Sequence, residues 1–317
     1  MSGVNSGRIG AALGARGSFR HKVLTAYRAT RPFSFPCSVM PVLVATAAVL
    51  PIGRWHWDRL AAVLIAVLGL HIAANLFNDY FDYTGGVDTR EAGDADRPGR
   101  MLVTGQVKPG QVRTGAVAAL LAGALASVYL AWRVDAVVLA FYALGLAGGY
   151  AYTAPPIRMK ARALGEFAML AFFGFGIMSG VSYVQVQRIP TPVLLLAIPM
   201  GLAVSHILVG NNLRDLDEDA GGGVRTLAHL LGPRGMAALY WALALVCSLG
   251  TAAIGLAYGV PLLALSVLAL ATIPKPLRAV TRGERLPDID ARTARFNLTL
   301  GIIITAVLVY SGGIGVR

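Results

Sequence analysis

The chain has 317 residues, of which 56% are hydrophobic, with a mean hydropathy of +0.63 and a formal net charge of +12. Apolar runs of about 20 residues recur too often for a pair of soluble domains, since that is the length a helix needs to cross a bilayer. The positive charge is spread over short loops instead of one folded surface, which argues against a nucleic-acid partner and for anionic lipid.

In chain order, the sequence predicts an all-α membrane protein: a basic cytoplasmic N-terminal tail at 1–32 and a single transmembrane domain at 33–317. The tail carries Arg8, Arg16, Arg20, Lys22, Arg28 and Arg31 and no acid. A transit peptide would share that composition, but the ordinary excess of cytoplasmic positive charge accounts for it. Nine spans are expected near 33–53, 59–80, 111–132, 134–153, 164–187, 192–213, 234–256, 259–281 and 295–315. With those boundaries, 23 of the 28 Lys and Arg residues fall on one side, leaving Arg54, Arg59, Arg133, Arg188 and Arg317 opposite. The protein is therefore expected in the cell membrane, with its N-terminus in the cytoplasm and its C-terminus on the other side. Cys37 and Cys247 both fall inside spans, which points to small apolar packing and not to a disulfide or zinc site.

Two segments interrupt this pattern. NLFNDYFDYTGGVD (Asn75 to Asp88) closes the second span and NNLRDLDED (Asn211 to Asp219) closes the sixth, and ten of the sixteen carboxylates lie in or just after them. Placing even three ionised carboxylates at bilayer depth would cost roughly 7–10 kcal/mol, so a cavity open to water and a bound cation are the expected setting. Residues four apart share a helix face, which groups Asn78 with Asp82, and Asn211 with Asp215 and Asp219. Amide and carboxylate oxygens are hard ligands suited to Mg²⁺, which bridges to substrate phosphates. The five histidines do not cluster with these acids, so a zinc hydrolase is not favoured. Four spans separate the segments, as expected for two four-helix pseudo-repeats plus a final helix around a central cavity. The loops that follow the segments, near 81–110 and 214–233, are the longest and are glycine-containing, which marks them as functional.

NDYFD with Asp88 six residues after Asp82, together with NNLRDLDED, resembles the two Asp-rich motifs of the UbiA superfamily of intramembrane prenyltransferases. RPFSFPCSVMPVLVATA, YTAPPIRMKARALGE, VRTLAHLLG and TARFNLTLG extend the resemblance over nearly the whole chain, and it is greatest to the menaquinone-type 1,4-dihydroxy-2-naphthoate prenyltransferases. Where the ubiquinone branch has a third aspartate four residues beyond the second ligand, this chain has Gly86; the longer spacing to Asp88 is typical of the menaquinone-like branch. The resemblance implies Mg²⁺-assisted ionisation of a polyprenyl diphosphate and attack of an electron-rich aromatic carbon on the allyl cation. It implies Asn78, Asp82 and Asp88 as ligands from the first motif, and Asn211, Asp215 and Asp219 from the second.

A departing diphosphate gathers negative charge, which cations stabilise most in the transition state. The candidate clamps are Lys160, which falls in a family-like segment, with Arg97, Arg100, Arg158 and Arg225 on the same side. Each is also accounted for as a cytoplasmic loop cation. Tyr152 at the end of the fourth span is placed to orient diphosphate or face the cation with its ring; an interfacial belt residue is the competing reading. Glu166 reads as a helix-start carboxylate or a partner of Lys160. Phe172, Phe173 and Phe175 are candidates for a prenyl channel, and His71 and His206 for proton removal, against simple packing roles.

A terpene cyclase of the same superfamily would keep the ionisation but need no acceptor. A secondary transporter would also carry internal repeats and membrane acids, but nearer the bilayer midplane. The leading expectation is prenyl transfer to a soluble hydroxyaromatic acid, with 1,4-dihydroxy-2-naphthoate the first candidate.

Overall fold

Each of the nine apolar runs is helical in the computed structural model, which describes residues 19–53, 55–86, 101–154, 156–215, 226–282, 284 and 288–315. Asp88, Arg97, Arg100, Asp219 and Arg225, and most of the tail at 1–32, lie outside the described residues. The order is α1 (Phe19–Ala29), a 3₁₀ turn (Pro32–Ser34), α2 (Pro36–Ala48), α3 (Trp57–Thr84), α4 (Pro109–Arg133) and α5 (Val137–Thr153). Next come α6 (Gly165–Val186), α7 (Thr191–Arg214), α8 (Leu227–Ala257), a 3₁₀ helix (Pro261–Thr272), α9 (Pro274–Thr281) and α10 (Ile289–Tyr310). No strand occurs among the described residues.

The helices differ in length. Six helices, α3, α4, α6, α7, α8 and α10, are long and apolar enough to cross a membrane, whereas Pro32–Ala48, α5 and Pro261–Thr272 are shorter. Proline and glycine set the shortfall: Pro32 and Pro36 break the start of the first run, and Leu50–Gly53 turn out of its end. In the opposite sense α8 starts seven residues before its predicted span, because Gly232 (φ 64°) lets the chain kink ahead of Pro233 and resume.

α7 is the most buried of the six long helices and packs against α6, α8 and α10, while α3 packs on α4 and α10 on α2. The α6–α7 contact depends on two glycines. A Cβ on Gly174 would lie 2.4 Å from the Ala197 carbonyl oxygen, and one on Gly201 would lie 2.9 Å from the Cα of Gly174. Small residues allow such close backbone approach in membrane bundles. Around Gly174, the stretch Leu170–Gly176 winds as π-helix, a local overwide turn often found at functional sites.

The core between α2, α6, α7 and α10 is filled by fully buried Met178, Leu196, Met200, Phe296 and Leu300. Leu125 and Trp132 on α4 and Leu256 on α8 are, by contrast, 66–79% exposed. Outward leucine and tryptophan on long apolar helices are what a lipid-facing surface requires, and the chain is a multi-pass membrane protein. At the head of α10, Arg292 Nε donates to both oxygens of Asp288 at 2.9 Å and holds that carboxyl below the usual carboxylate range.

Candidate active site

α3 presents His71, Asn75, Asn78 and Asp82 at intervals of four, three and four residues, which stacks them on one face. All four line a cavity of about 380 Å³ enclosed by α3, α5, α6, α7 and the segment from Arg31 to Ser38. From the other side α7 contributes Asn211, Asn212, Arg214 and Asp215, while Tyr152 and Lys160 come from the end of α5 and the turn after it. The rest of the wall is apolar, with Val67, Leu70, Gly145, Gly148, Phe172, Phe173 and Ile177. One chamber therefore joins a polar mouth, at the ends of α3 and α7, to a greasy interior.

Of the residues singled out from sequence, Asn78, Asp82, Tyr152, Lys160, Asn211 and Asp215 are brought together in this chamber. Asp82 Oδ2 accepts from Asn78 Nδ2 at 3.0 Å and from Lys160 Nζ at 3.1 Å, and Asn78 Oδ1 accepts from Thr153 Oγ1 at 3.4 Å. Asp215 faces the fork of Arg214, with Nε to Oδ1 at 2.7 Å and Nη2 to Oδ2 at 2.9 Å. Each motif thus places its central carboxylate beside a cation. Arg158 is exposed in a left-handed turn (φ 46°) and does not line the chamber.

Phe172 and Phe173 line the chamber and Phe175 does not. His71 lines it, its Nε2 and Nδ1 lying 3.0 Å from Ser34 Oγ and 2.6 Å from Ser38 Oγ. His206 is packed in the core against Tyr240 and Phe296, away from the chamber. Glu166, in the first turn of α6, is buried and accepts from Asn212 Nδ2 at 2.7 Å, tying α6 to α7.

Several residues of the site were not singled out from sequence. Arg31 stands in a left-handed backbone conformation (φ 56°) ahead of Pro32, is paired with buried Asp79, and lines the chamber. A non-glycine residue there is costly and must be held by its surroundings. Arg214 and its second partner, Asp290 of α10, are the other additions. Arg31 and Arg214 are legible only as positive loop charges, and Asp290 gives no sequence signal, since its partner lies 76 positions earlier in the chain.

The donor set fits a divalent cation of the magnesium type. Asn211 Oδ1 is buried with no hydrogen-bond partner, and it shares the chamber with the hard oxygens of Asn78, Asp82 and Asp215. Among the described residues no group of three or more His, Cys, Asp or Glu side chains converges. Mg²⁺ does not need one, because one or two carboxylates together with substrate phosphates complete its shell.

The model of the UbiA prenyltransferase family matches residues 38–308, a range that contains both Asn/Asp segments. The chain belongs to the UbiA prenyltransferase family. UbiA prenyltransferase domain-containing protein 1 of Gallus gallus is 32% identical over 300 residues, covering 92% of this chain and 87% of that protein. The 1,4-dihydroxy-2-naphthoate octaprenyltransferase of Bacillus subtilis is 30% identical over 261 residues, 80% of each chain. Among solved structures, a UbiA homolog from Archaeoglobus fulgidus bound to DMAPP and Mg²⁺ superposes with a TM-score of 0.64 at 17% identity, covering 91% of this chain and 97% of that one. That likeness shows the UbiA fold. The protein is an all-helical membrane prenyltransferase.

Proposed function

We propose that this UbiA prenyltransferase uses Mg²⁺ to transfer a prenyl group from a polyprenyl diphosphate to 1,4-dihydroxy-2-naphthoate, a step of menaquinone biosynthesis. The observation that carries the reading is the single chamber in which Asn78, Asp82, Tyr152 and Lys160 meet Asn211 and Asp215 while Phe172, Phe173 and Ile177 keep the interior apolar. The names of the Bacillus subtilis relative and of the liganded Archaeoglobus fulgidus homolog support the acceptor, the diphosphate and the metal.

In this reading Asn78, Asp82, Asn211 and Asp215 hold the metal, with Asp88 and Asp219 completing the two motifs. Mg²⁺, when bound, compensates the charge that develops on the departing diphosphate. Lys160 reaches the same position and supplies a further point charge, and Arg97, Arg100 and Arg225, outside the described residues, are candidates for further cations, whereas Arg158 stands outside the chamber. Tyr152 presents its ring and phenol to the reacting carbon. The apolar wall buries the tail at about 0.8 kcal/mol per CH₂ and keeps water from the allyl cation. Arg31, Ser34 and His71 give an acidic, hydroxylated acceptor polar partners on the wall of the same chamber. Attack at the ring carbon bearing the carboxylate is followed by loss of CO₂, which restores the aromatic ring without a proton leaving that carbon.

The reading includes the topology. Residues 33–317 form one domain of nine spans, two four-helix pseudo-repeats and a last helix, with the N-terminus cytoplasmic and the C-terminus opposite. Each Asn/Asp segment ends the second helix of its set of four, α3 and α7. The 17 residues of α5 extend about 26 Å, and the 12 of the Pro261–Thr272 helix, at the longer 3₁₀ rise, about 24 Å. Both lengths fall a few Å short of the hydrocarbon thickness, and local thinning of the bilayer with snorkelling of flanking residues covers the difference.

The test is to incubate the purified protein with Mg²⁺, a series of prenyl diphosphates and a panel of hydroxyaromatic acids, with and without chelator. Product should require diphosphate, metal and acceptor together. Terpene product without acceptor would move the assignment to cyclisation, and unchanged turnover in chelator would remove the metal.

A further inference from the structure

Arg214 ends α7, is 15% exposed, and is held by two carboxylates from different helices. Its Nε and Nη2 fork onto Asp215 at 2.7 and 2.9 Å, while its Nη1 lies 2.6 Å from Oδ2 of Asp290 in the first turn of α10. Asp290 is itself fixed: its side chain is 12% exposed and its Oδ1 accepts from the Ala291 N–H at 2.8 Å. The start of a helix favours a carboxylate at that position. Among the described residues, nearby Arg292 is engaged by Asp288 and Arg214 is the cation seated on Asp290.

We propose that Asp290 is a positioning residue that keeps Arg214 in place while Asp215 exchanges this arginine for a divalent cation. The proposal rests on the metal reading above. Asp215 cannot turn both oxygens to a metal while the guanidinium fork lies across them. An arginine stripped of its carboxylate in so closed a site is strongly disfavoured, because a buried charge without a partner forfeits its hydration uncompensated. Asp290 removes that obstacle, since a second carboxylate already touches Nη1 before the exchange begins. The charges agree: two carboxylates around one guanidinium leave one negative charge in excess for a divalent cation to compensate. The first motif needs no such device. Lys160 pairs with Asp82 through a compact ammonium on a flexible stem, which can shift while remaining hydrated at the mouth.

The test uses Mn²⁺ as probe, by calorimetric titration of the full-length protein saturated with a prenyl thiolodiphosphate that does not ionise. The wild type is compared with Asp290→Asn, Arg214→Gln and the double variant. Asp290→Asn should weaken Mn²⁺ binding by about 10-fold or more, since each 1.4 kcal/mol of lost coupling is a factor of ten. Arg214→Gln should bind Mn²⁺ at least as tightly as the wild type. The double variant should regain most of the loss, because no fork remains to be displaced. Wild-type affinity in Asp290→Asn overturns the proposal. A double variant as weak as Asp290→Asn also overturns it, since Asp290 would then act through the fold. Absence of Mn²⁺ uptake by the wild type would instead remove the metal reading on which the proposal rests.

Discussion

The close approach of α6 and α7 holds α7, which leads to Asn211 and Asp215, against its neighbour, and Gly174→Ala tests it. The new Cβ would stand 2.4 Å from the Ala197 carbonyl oxygen and 3.0 Å from the Gly201 Cα, both backbone atoms that no rotamer change can move. Ordinary contact begins near 3.4 Å, so the helices must part by about 1 Å. A gap of that size forfeits a quarter to a half of the dispersion attraction across it, and overpacking of this kind costs about 1–3 kcal/mol. Gly250→Ala on α8 is the matched control, because nothing lies within 4 Å of its added methyl. It should be neutral or stabilise by up to about 1 kcal/mol through helix propensity alone. Thermal unfolding of both variants in the same detergent should therefore separate them by about 1–4 kcal/mol, with Gly174→Ala below wild type and Gly250→Ala at or above it. Turnover should fall only in Gly174→Ala, since α7 carries Asn211 and Asp215. A Gly174→Ala protein as stable as Gly250→Ala would refute the packing on which the site geometry depends.

The remaining predictions concern charge and topology. Asp82→Ala and Asp215→Ala should each reduce turnover on the order of 10²-fold or more with folding retained, measured as product formed at limiting Mg²⁺; near-normal turnover would mean that the residue is not a ligand. Lys160→Gln leaves Asp82 with its Asn78 partner but removes the ammonium beside it, so kcat should drop about 10-fold or more while the protein still folds, and a fall confined to affinity would assign Lys160 to ground-state binding. Affinity for prenyl diphosphates should rise with tail length until the apolar wall is covered, then level off; a flat series measured by competition would contradict a tail-binding interior. A tag at the C-terminus should be labelled only from outside the cytoplasm, and cytoplasmic labelling would overturn the odd number of spans.

How much of this was legible in the sequence depends on whether a residue acts within its own helix or across the bundle. Helical periodicity alone puts Asn78 with Asp82 and Asn211 with Asp215, and the recurring apolar runs are helical, so the ladders and the all-helical class follow directly. Lys160 was reachable because it sits in a family-like segment, and the structure sets it 3.1 Å from Asp82. Arg31, Arg214 and Asp290 were not reachable in the same way. Asp79, the partner of Arg31, is chosen by the turn at Pro32, and Asp290, the second partner of Arg214, by the packing of α10 on α7, and neither leaves a pattern in the local sequence. His71 and His206 show the same limit: both stand a few residues before an Asn/Asp segment, yet one faces the chamber and the other the core. The span lengths were overestimated where prolines and glycines spend apolar residues on turns, as at Pro32–Pro36 and Leu50–Gly53.

Whether one chamber joins a diphosphate site to an aromatic acceptor is best read by mass spectrometry of the product made from a prenyl diphosphate and carboxyl-labelled 1,4-dihydroxy-2-naphthoate. The expected product is a prenylated naphthoquinol that has lost the label as CO₂, formed only when the acceptor is present. Product that retains the label would contradict attack at the carboxylate-bearing carbon, and prenyl-derived product formed without acceptor would contradict the transfer itself.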